Sequence, residues 1–198
     1  PSPFTVDENG WWVAEPKMFR FPQGIVIGER YDNCTYGEAV LAVGLLDENS
    51  GQGNCPSGDG SVAFGAANTA SGKHSTVTGG SINHASGDVS SVSGGYGNKA
   101  TGQDSSVSGG AYNAASGQDS SVSGGVYNTG AGQRSSVSGG AYNAASGQDS
   151  SVSGGVYNAA SGQRSSVTGG DSNDASGYSS SVSGGRNNVA SYDQSSVS

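Results

Sequence analysis

Two histidines and many serines are the residues of this chain with which an enzyme could attack a substrate. His74 and His84 both lie close to serines, but serine occurs throughout the chain, so this proximity carries little information. A serine nucleophile typically sits on a glycine-flanked turn beside a positioned base, and no segment has that pattern. The metal-binding histidine motifs of hydrolases are missing as well. The sequence therefore predicts a protein that is not an enzyme and that has no cofactor.

Acidic and amide side chains cluster in one loop and raise the question of a metal site. Asp47, Asn49 and the nearby Asp59 carry the oxygen ligands that calcium prefers. The ligand spacing of a calcium loop and its closing bidentate glutamate are absent, so a solvated acidic loop explains the cluster better. We predict no metal site.

The chain has two cysteines, Cys34 and Cys55, and both lie in loop-like sequence. A pair of this kind in a chain rich in serine and glycine favours a disulfide formed in an oxidising compartment; two unpaired thiols are the alternative. Asn33-Cys34-Thr35 also matches the acceptor pattern for N-glycosylation, which matters only in a host that glycosylates.

Most of the chain consists of a 15-residue repeat, which determines where its side chains lie. Between Ser105 and Val167 the pattern Ser-Ser-Val-Ser-Gly-Gly-x-Tyr-Asn-x-x-x-Gly-Gln-x is written four times. A period this short, with no helical apolar pattern inside it, predicts an all-β protein, a parallel β-solenoid in which each repeat is one coil. The strict period overrides the disorder that 36 glycines and many serines would otherwise indicate. The valines at one phase of the repeat are predicted to form the core: Val62, Val77, Val92, Val107, Val122, Val137, Val152, Val167 and Val182.

Each coil is predicted to contain two short extended segments joined by two glycine corners. In the first clear copy, Val107 and Ala115 are the pair that we expect to face inward. Because glycine reaches the backbone angles of a tight corner at least cost, the row that includes Gly110 marks one corner and the row that includes Gly117 marks the other. An asparagine recurs in every coil over residues 68–188. We expect it at a turn with left-handed backbone, bonded to the asparagines above and below.

The sequence before the regular repeats divides into two parts. Residues 1–23 contain both tryptophans, and the turn dipeptide Asn9-Gly10 predicts a short N-terminal β-hairpin that caps the first coil. The alternative is an attachment module, with Trp11 and Trp12 as its contact residues. Residues 24–60 are predicted to be degenerate coils with inserted loops, because their glycine-ended apolar segments lie 16 and then 21 residues apart. The regular coils occupy residues 61–198.

Composition excludes two classes of partner. The net charge is −8, and the eight lysines and arginines are scattered, which disfavours the clustered contacts that a nucleic acid needs. The longest apolar run, residues 39–43, is far too short for a membrane helix. We therefore expect no nucleic acid partner and no membrane insertion by this segment.

One stretch at the start of the regular coils is similar to a known family. The segment Gly-Ser-Val-Ala-Phe-Gly-Ala-Ala-Asn-Thr-Ala-Ser-Gly at residues 60–72 resembles the head repeat of trimeric autotransporter adhesins, S-[VI]-A-[IVLF]-G followed by A-x-A-x-G. The resemblance covers residues 24–198. It implies a left-handed parallel β-roll with three chains side by side, on a bacterial or phage fibre at the cell surface or outside the cell. The chain departs from that family in its longer period and in the glycines that replace the second apolar position after Phe64.

A physical argument also points to a homotrimer. Each regular coil offers one valine and one alanine to an interior, which is little apolar surface for the ordering of fifteen residues. Close packing of small serine, alanine and glycine faces between three chains could supply more, although a thin lone solenoid is the alternative.

Repeated residues become ladders, because equivalent positions in successive coils lie about 4.8 Å apart. Tyr112, Tyr127, Tyr142 and Tyr157 form an aromatic ladder. It is either a contact surface for sugar or protein, or a ring stack that stiffens the roll or fills a trimer seam. A second ladder alternates in sign and is expected to fix the register of the coils. Its members are Asp119, Arg134, Asp149 and Arg164.

Three functions are compatible with these features. The first is an extracellular adhesin-like fibre segment that binds an unknown host, prey or matrix ligand. The second is a structural spacer, such as a tail-fibre component of a phage or contractile injection system. The third is an ice-binding β-solenoid, which the hydroxyl rows permit although Ser-Val-Ser stands where Thr-x-Thr is usual.

Overall fold

The computed structural model describes residues 4–6, 8–10, 12–14, 21, 23–48 and 50–198. Near the N-terminus, β1 (Phe4–Val6) and β2 (Trp12–Ala14) pair antiparallel, and Gly10 lies between them with a φ of 82°. These strands form the hairpin that the Asn9-Gly10 dipeptide predicts. Trp11 and the side chain of Trp12 lie outside the described residues.

From Gly24 onward the chain forms a parallel β-solenoid of about 12 coils with 15-residue repeats, and the described residues contain no helix. Most coils give one strand to each of two parallel sheets, which we name after their inward residues. The valine sheet consists of β3 (Gly24–Gly28), β4 (Val40–Gly44), β6 (Val62–Phe64), β8 (Thr76–Val77), β10 (Ser91–Val92), β12 (Ser106–Val107), β14 (Ser121–Val122), β16 (Ser136–Val137), β18 (Ser151–Val152), β20 (Ser166–Val167), β22 (Ser181–Val182) and β24 (Ser196–Val197). The alanine sheet consists of β5 (Cys55–Pro56), β7 (Thr69–Ala70), β9 (His84–Ala85), β11 (Lys99–Ala100), β13 (Ala114–Ala115), β15 (Thr129–Gly130), β17 (Ala144–Ala145), β19 (Ala159–Ala160), β21 (Asp174–Ala175) and β23 (Val189–Ala190).

The core is a single layer of small side chains between the two sheets. Val107 and Ala115 are both fully buried, as the sequence predicts, and the equivalent valines and alanines repeat this pairing. Two polar columns are buried beside them, an asparagine and a serine from each regular coil except the last, where Asn188 and Ser195 are half-buried. The serine hydroxyls have no hydrogen-bond partner among the described residues, and this column consists of Ser61, Ser75, Ser90, Ser105, Ser120, Ser135, Ser150, Ser165 and Ser180.

The first regular coil has a different register from the one that the valine spacing predicts. Val62 pairs with Thr76, and Ala63 pairs with Val77. Ala63 is fully buried, whereas Val62 is only half-buried, so the prediction of Val62 as a core residue is wrong. The step from Ala63 to Val77 is 14 residues, because Phe64 stands alone where later coils have a hydroxyl residue and a glycine. A shift of one residue turns a strand side chain to the opposite face of the sheet.

The degenerate coils follow the predicted spacing and carry a cross-link. Ile25 pairs with Leu41, and Leu41 pairs with Val62, which gives the expected steps of 16 and 21 residues. Cys34 and Cys55 form a disulfide with their Cα atoms 5.5 Å apart. The bond joins the loop after β3 to β5, the first strand of the alanine sheet, so the expected loop position holds for Cys34 and is wrong for Cys55.

Both glycine corners bring the backbones of successive coils close together, and only the first also has left-handed backbone. Gly110 has a φ of 83°, a left-handed value that glycine adopts at least cost, and a Cβ atom there would overlap the carbonyl oxygen of Gly125. Gly117 does not have left-handed backbone, but a Cβ atom there would overlap the carbonyl oxygen of Gly132 in the next coil. Glycine at the second corner is therefore required by the close approach of two backbones, and the predicted role of a special backbone angle is wrong there.

Candidate functional site

The asparagine column is a buried structural ladder. Asn113 donates through Nδ2 to the carbonyl oxygens of Gly109 at 3.0 Å and Gly125 at 2.8 Å. Its Oδ1 accepts from the backbone N–H of Asn128 at 2.9 Å. The predicted bond to the next coil is thus present, but the predicted left-handed backbone is wrong for Asn113. The preceding residue, Tyr112, has the left-handed φ instead.

The asparagine ladder begins one coil earlier than the repeats indicate. Asn54 donates through Nδ2 to the carbonyl oxygens of Val43 at 3.0 Å and Gly65 at 2.8 Å, and its Oδ1 accepts from the N–H of Asn68 at 3.0 Å. Sequence reasoning missed this residue because the step from Asn54 to Asn68 is 14 residues rather than 15. The sequence signal that could have revealed it is the Gly-Asn pair in front of Cys55.

The tyrosine ladder lies on the corner next to the Gly110 row. The ring centroids of Tyr112, Tyr127, Tyr142 and Tyr157 are separated by 4.9, 5.1 and 4.9 Å, and their planes are tilted by 6 to 14°. Each side chain is between 45% and 58% exposed. At the N-terminal end, Tyr96 contacts Tyr112 edge to face at 5.4 Å. The stack is therefore a surface feature and does not fill the core.

Stacking determines which part of each tyrosine can meet a ligand. Tyr127 and Tyr142 each have a ring on both sides, so their faces are covered. Their ring edges and hydroxyl groups are left for contacts with other molecules. The row thus presents hydrogen-bonding groups about 5 Å apart along the solenoid.

Apolar side chains extend the tyrosine ladder along the same corner. Val126 and Val156 precede Tyr127 and Tyr157 and are 41% and 40% exposed. We use the name tyrosine edge for the surface formed by Tyr112, Val126, Tyr127, Tyr142, Val156 and Tyr157. In the next two coils the corner is polar, and Arg186 pairs with Asp171 at 3.0 Å.

The charged ladder forms one close ion pair. Arg134 donates to Asp149 from Nε at 2.6 Å and from Nη2 at 2.9 Å. These hydrogen bonds hold the pKa of the Asp149 carboxyl below its ordinary value and raise the pKa of Arg134, to which the charge of Asp119 on the other side adds a smaller rise. Arg164 turns away and donates to the hydroxyl of Tyr178 at 2.7 Å. The predicted alternation therefore produces a bidentate pair on one rung and a different contact on another.

The residues considered for chemistry have ordinary structural surroundings. His84 lies on the alanine sheet beside Lys99, and burial and then this lysine lower the pKa of its imidazole. Asp47 accepts from the N–H and hydroxyl of Ser50, both at 2.9 Å, and Asp59 accepts from the N–H of Glu38 at 3.0 Å. Asn49 lies outside the described residues. Within the described ranges, no group of three or more histidine, cysteine, aspartate or glutamate residues is arranged to hold a metal ion.

Comparison with known proteins gives no relative from which a function could be transferred. No protein-family model matches the chain, and no curated protein matches its sequence. In the part of the chain that the structure describes, there is no helix with the length and apolar character needed to cross a membrane.

Proposed function

We propose that this chain is a segment of an extracellular homotrimeric fibre, and that its tyrosine edge binds a ligand on a host, prey or matrix surface. The chain binds this ligand and does not transform it. The observation that carries the proposal is the exposed stack of four tyrosines at positions where the fold does not favour tyrosine.

The backbone at the tyrosine positions explains why their identity is informative. Tyr112, Tyr127, Tyr142 and Tyr157 have φ values of 55 or 56°, in the left-handed region that costs a residue with a Cβ about 1 kcal/mol or more. Glycine or asparagine would reduce that cost. The rings are also half-exposed, so core packing does not explain them. A contact outside the solenoid gives a reason to keep tyrosine in four consecutive coils.

The geometry of the stack indicates the kind of ligand. Because the middle rings are covered on both faces, a sugar cannot stack flat on them. A linear ligand that runs along the solenoid can meet the row of phenol hydroxyls and the exposed valines between them. A polysaccharide chain with repeated hydroxyl groups has this chemistry.

Two features support assembly into a trimer with a capped end. The single-layer core of valine and alanine leaves much of each thin coil close to its surface. At the N-terminal end, Val26 of β3 pairs with the inward Ala42 and is still 38% exposed, so the end of the first coil needs a cover. The hairpin of residues 1–23 is our candidate for that cap. Trimerisation would bury more of this surface, in the arrangement of three chains side by side that the family resemblance implies.

Binding to glycan and matrix-protein arrays tests the function. We expect wild type to bind a subset of linear polysaccharides, and Tyr127→Ala/Tyr142→Ala to lose at least about tenfold in affinity, since each lost hydrogen bond from a phenol hydroxyl is worth about 1 kcal/mol. Ser146→Ala/Ser161→Ala, on exposed positions beyond the alanine sheet, is the matched control and should bind as wild type does. Equal binding by the tyrosine variant would overturn the assignment of the edge.

A structural spacer is the second candidate, and the stack itself favours it. Rings in contact at 4.9 to 5.1 Å in consecutive coils also stiffen one corner of a rod. If no array ligand binds while Tyr127→Ala/Tyr142→Ala lowers the thermal stability, the spacer is correct and recognition lies elsewhere in the fibre. A tail-fibre component of a phage or injection system would behave in this way.

A further inference from the structure

One row of glycines has no explanation within the chain. The rows that include Gly110 and Gly117 are required by left-handed backbone or by close approach of the next coil. A third row lies directly before the Gly110 row, and its backbone is not left-handed. A Cβ atom would meet nothing within 4 Å at six of its positions, and only one atom at 3.9 Å at the other two. This open row consists of Gly79, Gly94, Gly109, Gly124, Gly139, Gly154, Gly169 and Gly184.

The open glycine row adjoins a face that is uniform from coil to coil. The outward residues of the valine sheet, on either side of each inward valine, are serine or threonine in eight successive coils, from Thr76 and Thr78 to Ser181 and Ser183. The outward row of the alanine sheet instead includes His84, Lys99 and Asp174. Only one of the two faces is therefore restricted to small, uncharged side chains.

The same face becomes apolar in the three N-terminal coils. Ala42 and Ala63 point inward, so the residues beside them in β4 and β6 point outward. The outward positions of the valine sheet there carry Ile25, Ile27, Leu41, Val43, Val62 and Phe64. A contiguous patch of six large apolar side chains on a sheet face indicates a contact with protein.

We infer that the outer face of the valine sheet, together with the open glycine row, packs against a second copy of this chain in parallel and in register. This inference rests on the proposed fibre and identifies the face by which its chains meet. A parallel neighbour at the same level places the apolar coils against apolar coils and the serine and glycine coils against each other. An antiparallel neighbour would place the apolar patch against hydroxyls. The missing side chains of the open row then allow close approach of the second chain, which the solenoid alone does not need.

The open glycine row provides variants that separate assembly from folding. Gly124→Trp and Gly139→Trp add a large side chain where the chain itself leaves space, so circular dichroism and the β-solenoid should be retained. We expect sedimentation to show that these variants lose the oligomer at concentrations where wild type keeps it. Ser146→Trp, exposed beyond the alanine sheet, is the control and should leave the oligomer intact. An intact oligomer in both glycine variants would overturn the inference.

Cysteine cross-linking tests the parallel register. Ser123→Cys lies next to the open row, and in a parallel, in-register assembly it should form an intermolecular disulfide with the same position of another chain. Ser161→Cys, at the opposite side of the coil, should form far less. Cross-linking that is stronger at Ser161→Cys, or absent at both positions while the oligomer persists, would contradict the parallel packing. Binding of the tyrosine edge to the arrays is measured separately from cross-linking. A failure of this inference can therefore be distinguished from a failure of the proposed function.

Two alternatives to a second chain on the outer face of the valine sheet can be distinguished by experiment. If residues 1–22 of the same chain cover the apolar patch, a monomer should persist, and deletion of these residues should create self-association. If ordered water binds the hydroxyl rows, wild type should show thermal hysteresis that Gly124→Trp reduces. Either result with a monomeric wild type would overturn the inference.

Discussion

The degenerate coils of residues 24–60 and the regular coils of residues 61–198 form one valine sheet, but they differ in spacing, in their outward side chains and in the presence of a cross-link. In the degenerate coils, the steps are 16 and 21 residues, the outward side chains of the valine sheet are large and apolar, and a disulfide joins a loop to the first strand of the alanine sheet. In the regular coils, backbone contacts between glycines and the asparagine ladder recur at fixed spacing. The degenerate coils contain the same kinds of contact, because a Cβ atom at Gly44 would overlap the carbonyl oxygen of Gly65, and Asn54 makes the bonds of the asparagine ladder. The additional residues of the degenerate coils therefore lie in loops between these contacts, and the contacts themselves are kept in both regions.

The largest effect should follow from a methyl group at the close corner of a regular coil. A Cβ atom in Gly132→Ala would overlap the carbonyl oxygen of Gly147. We expect a loss of about 3 kcal/mol in the free energy of unfolding, the upper range for overpacking of a rigid site. Gly139→Ala meets open space and should change little. Thermal denaturation followed by circular dichroism checks both, and equal melting temperatures would show that the backbones do not pack as described.

Removing one asparagine of the ladder should cost nearly as much. Asn128→Ala leaves the carbonyl oxygens of Gly124 and Gly140, and the N–H of Asn143, without their side-chain partner. Buried polar groups that lose a partner cost about 1 to 3 kcal/mol each, so we expect destabilisation of about 3 kcal/mol after local relaxation. Denaturant unfolding measures this. A change below about 1 kcal/mol would mean that the ladder is not a main stabilising element of the regular coils.

Loss of the disulfide should affect only the degenerate coils. Cys34→Ser/Cys55→Ser removes a loop closure across 21 residues, worth about 3 kcal/mol by chain entropy. Because coils interact mainly with their neighbours, hydrogen exchange should rise over residues 24–60 and stay unchanged over residues 105–167. Uniform loss of protection along the whole chain would show that the two regions unfold as one unit.

A smaller effect of opposite sign is expected in the serine column. The Ser120 hydroxyl is buried without a partner in the chain, so Ser120→Ala removes a polar group that gains nothing from burial. We expect stabilisation by about 1 kcal/mol, in contrast to Asn128→Ala in the same coil region. The melting temperatures of the two variants give a direct comparison. Clear destabilisation by Ser120→Ala would show that the hydroxyl is satisfied by other contacts in the assembled protein.

The smallest effect concerns the ion pair on the surface of the regular coils. Hydrogen bonds from Arg134 lower the pKa of Asp149, so its contribution is present above the ordinary aspartate pKa of about 3.9 and is lost as the pH falls through the lowered value. The melting temperature of Arg134→Gln should therefore lie below that of wild type at neutral pH and approach it in acid. A difference that does not change with pH would contradict the pairing of these two side chains.

Periodicity in the sequence was sufficient to predict the solenoid, its two inward rows at Val107 and Ala115 and the coil that each residue occupies. It failed at Val62, because the face of a strand residue is set by backbone pairing and a one-residue deletion at Phe64 shifts that pairing. The burial of Asn113 and the packing role of Gly117 were also missed, since a repeat shows that a residue recurs but not which neighbour it touches. The tyrosine stack followed from the period, whereas its exposed edges required the coordinates.

The mass of the unmodified chain in solution tests the central claim most directly, because a fibre segment with an apolar and a glycine-lined outer face should not remain single. Light scattering should give about three times the 19.4 kDa of one chain. This mass should persist in Tyr127→Ala/Tyr142→Ala, since the tyrosine edge is assigned to ligand and not to assembly. A stable mass of 19.4 kDa for wild type at micromolar concentration would contradict the account.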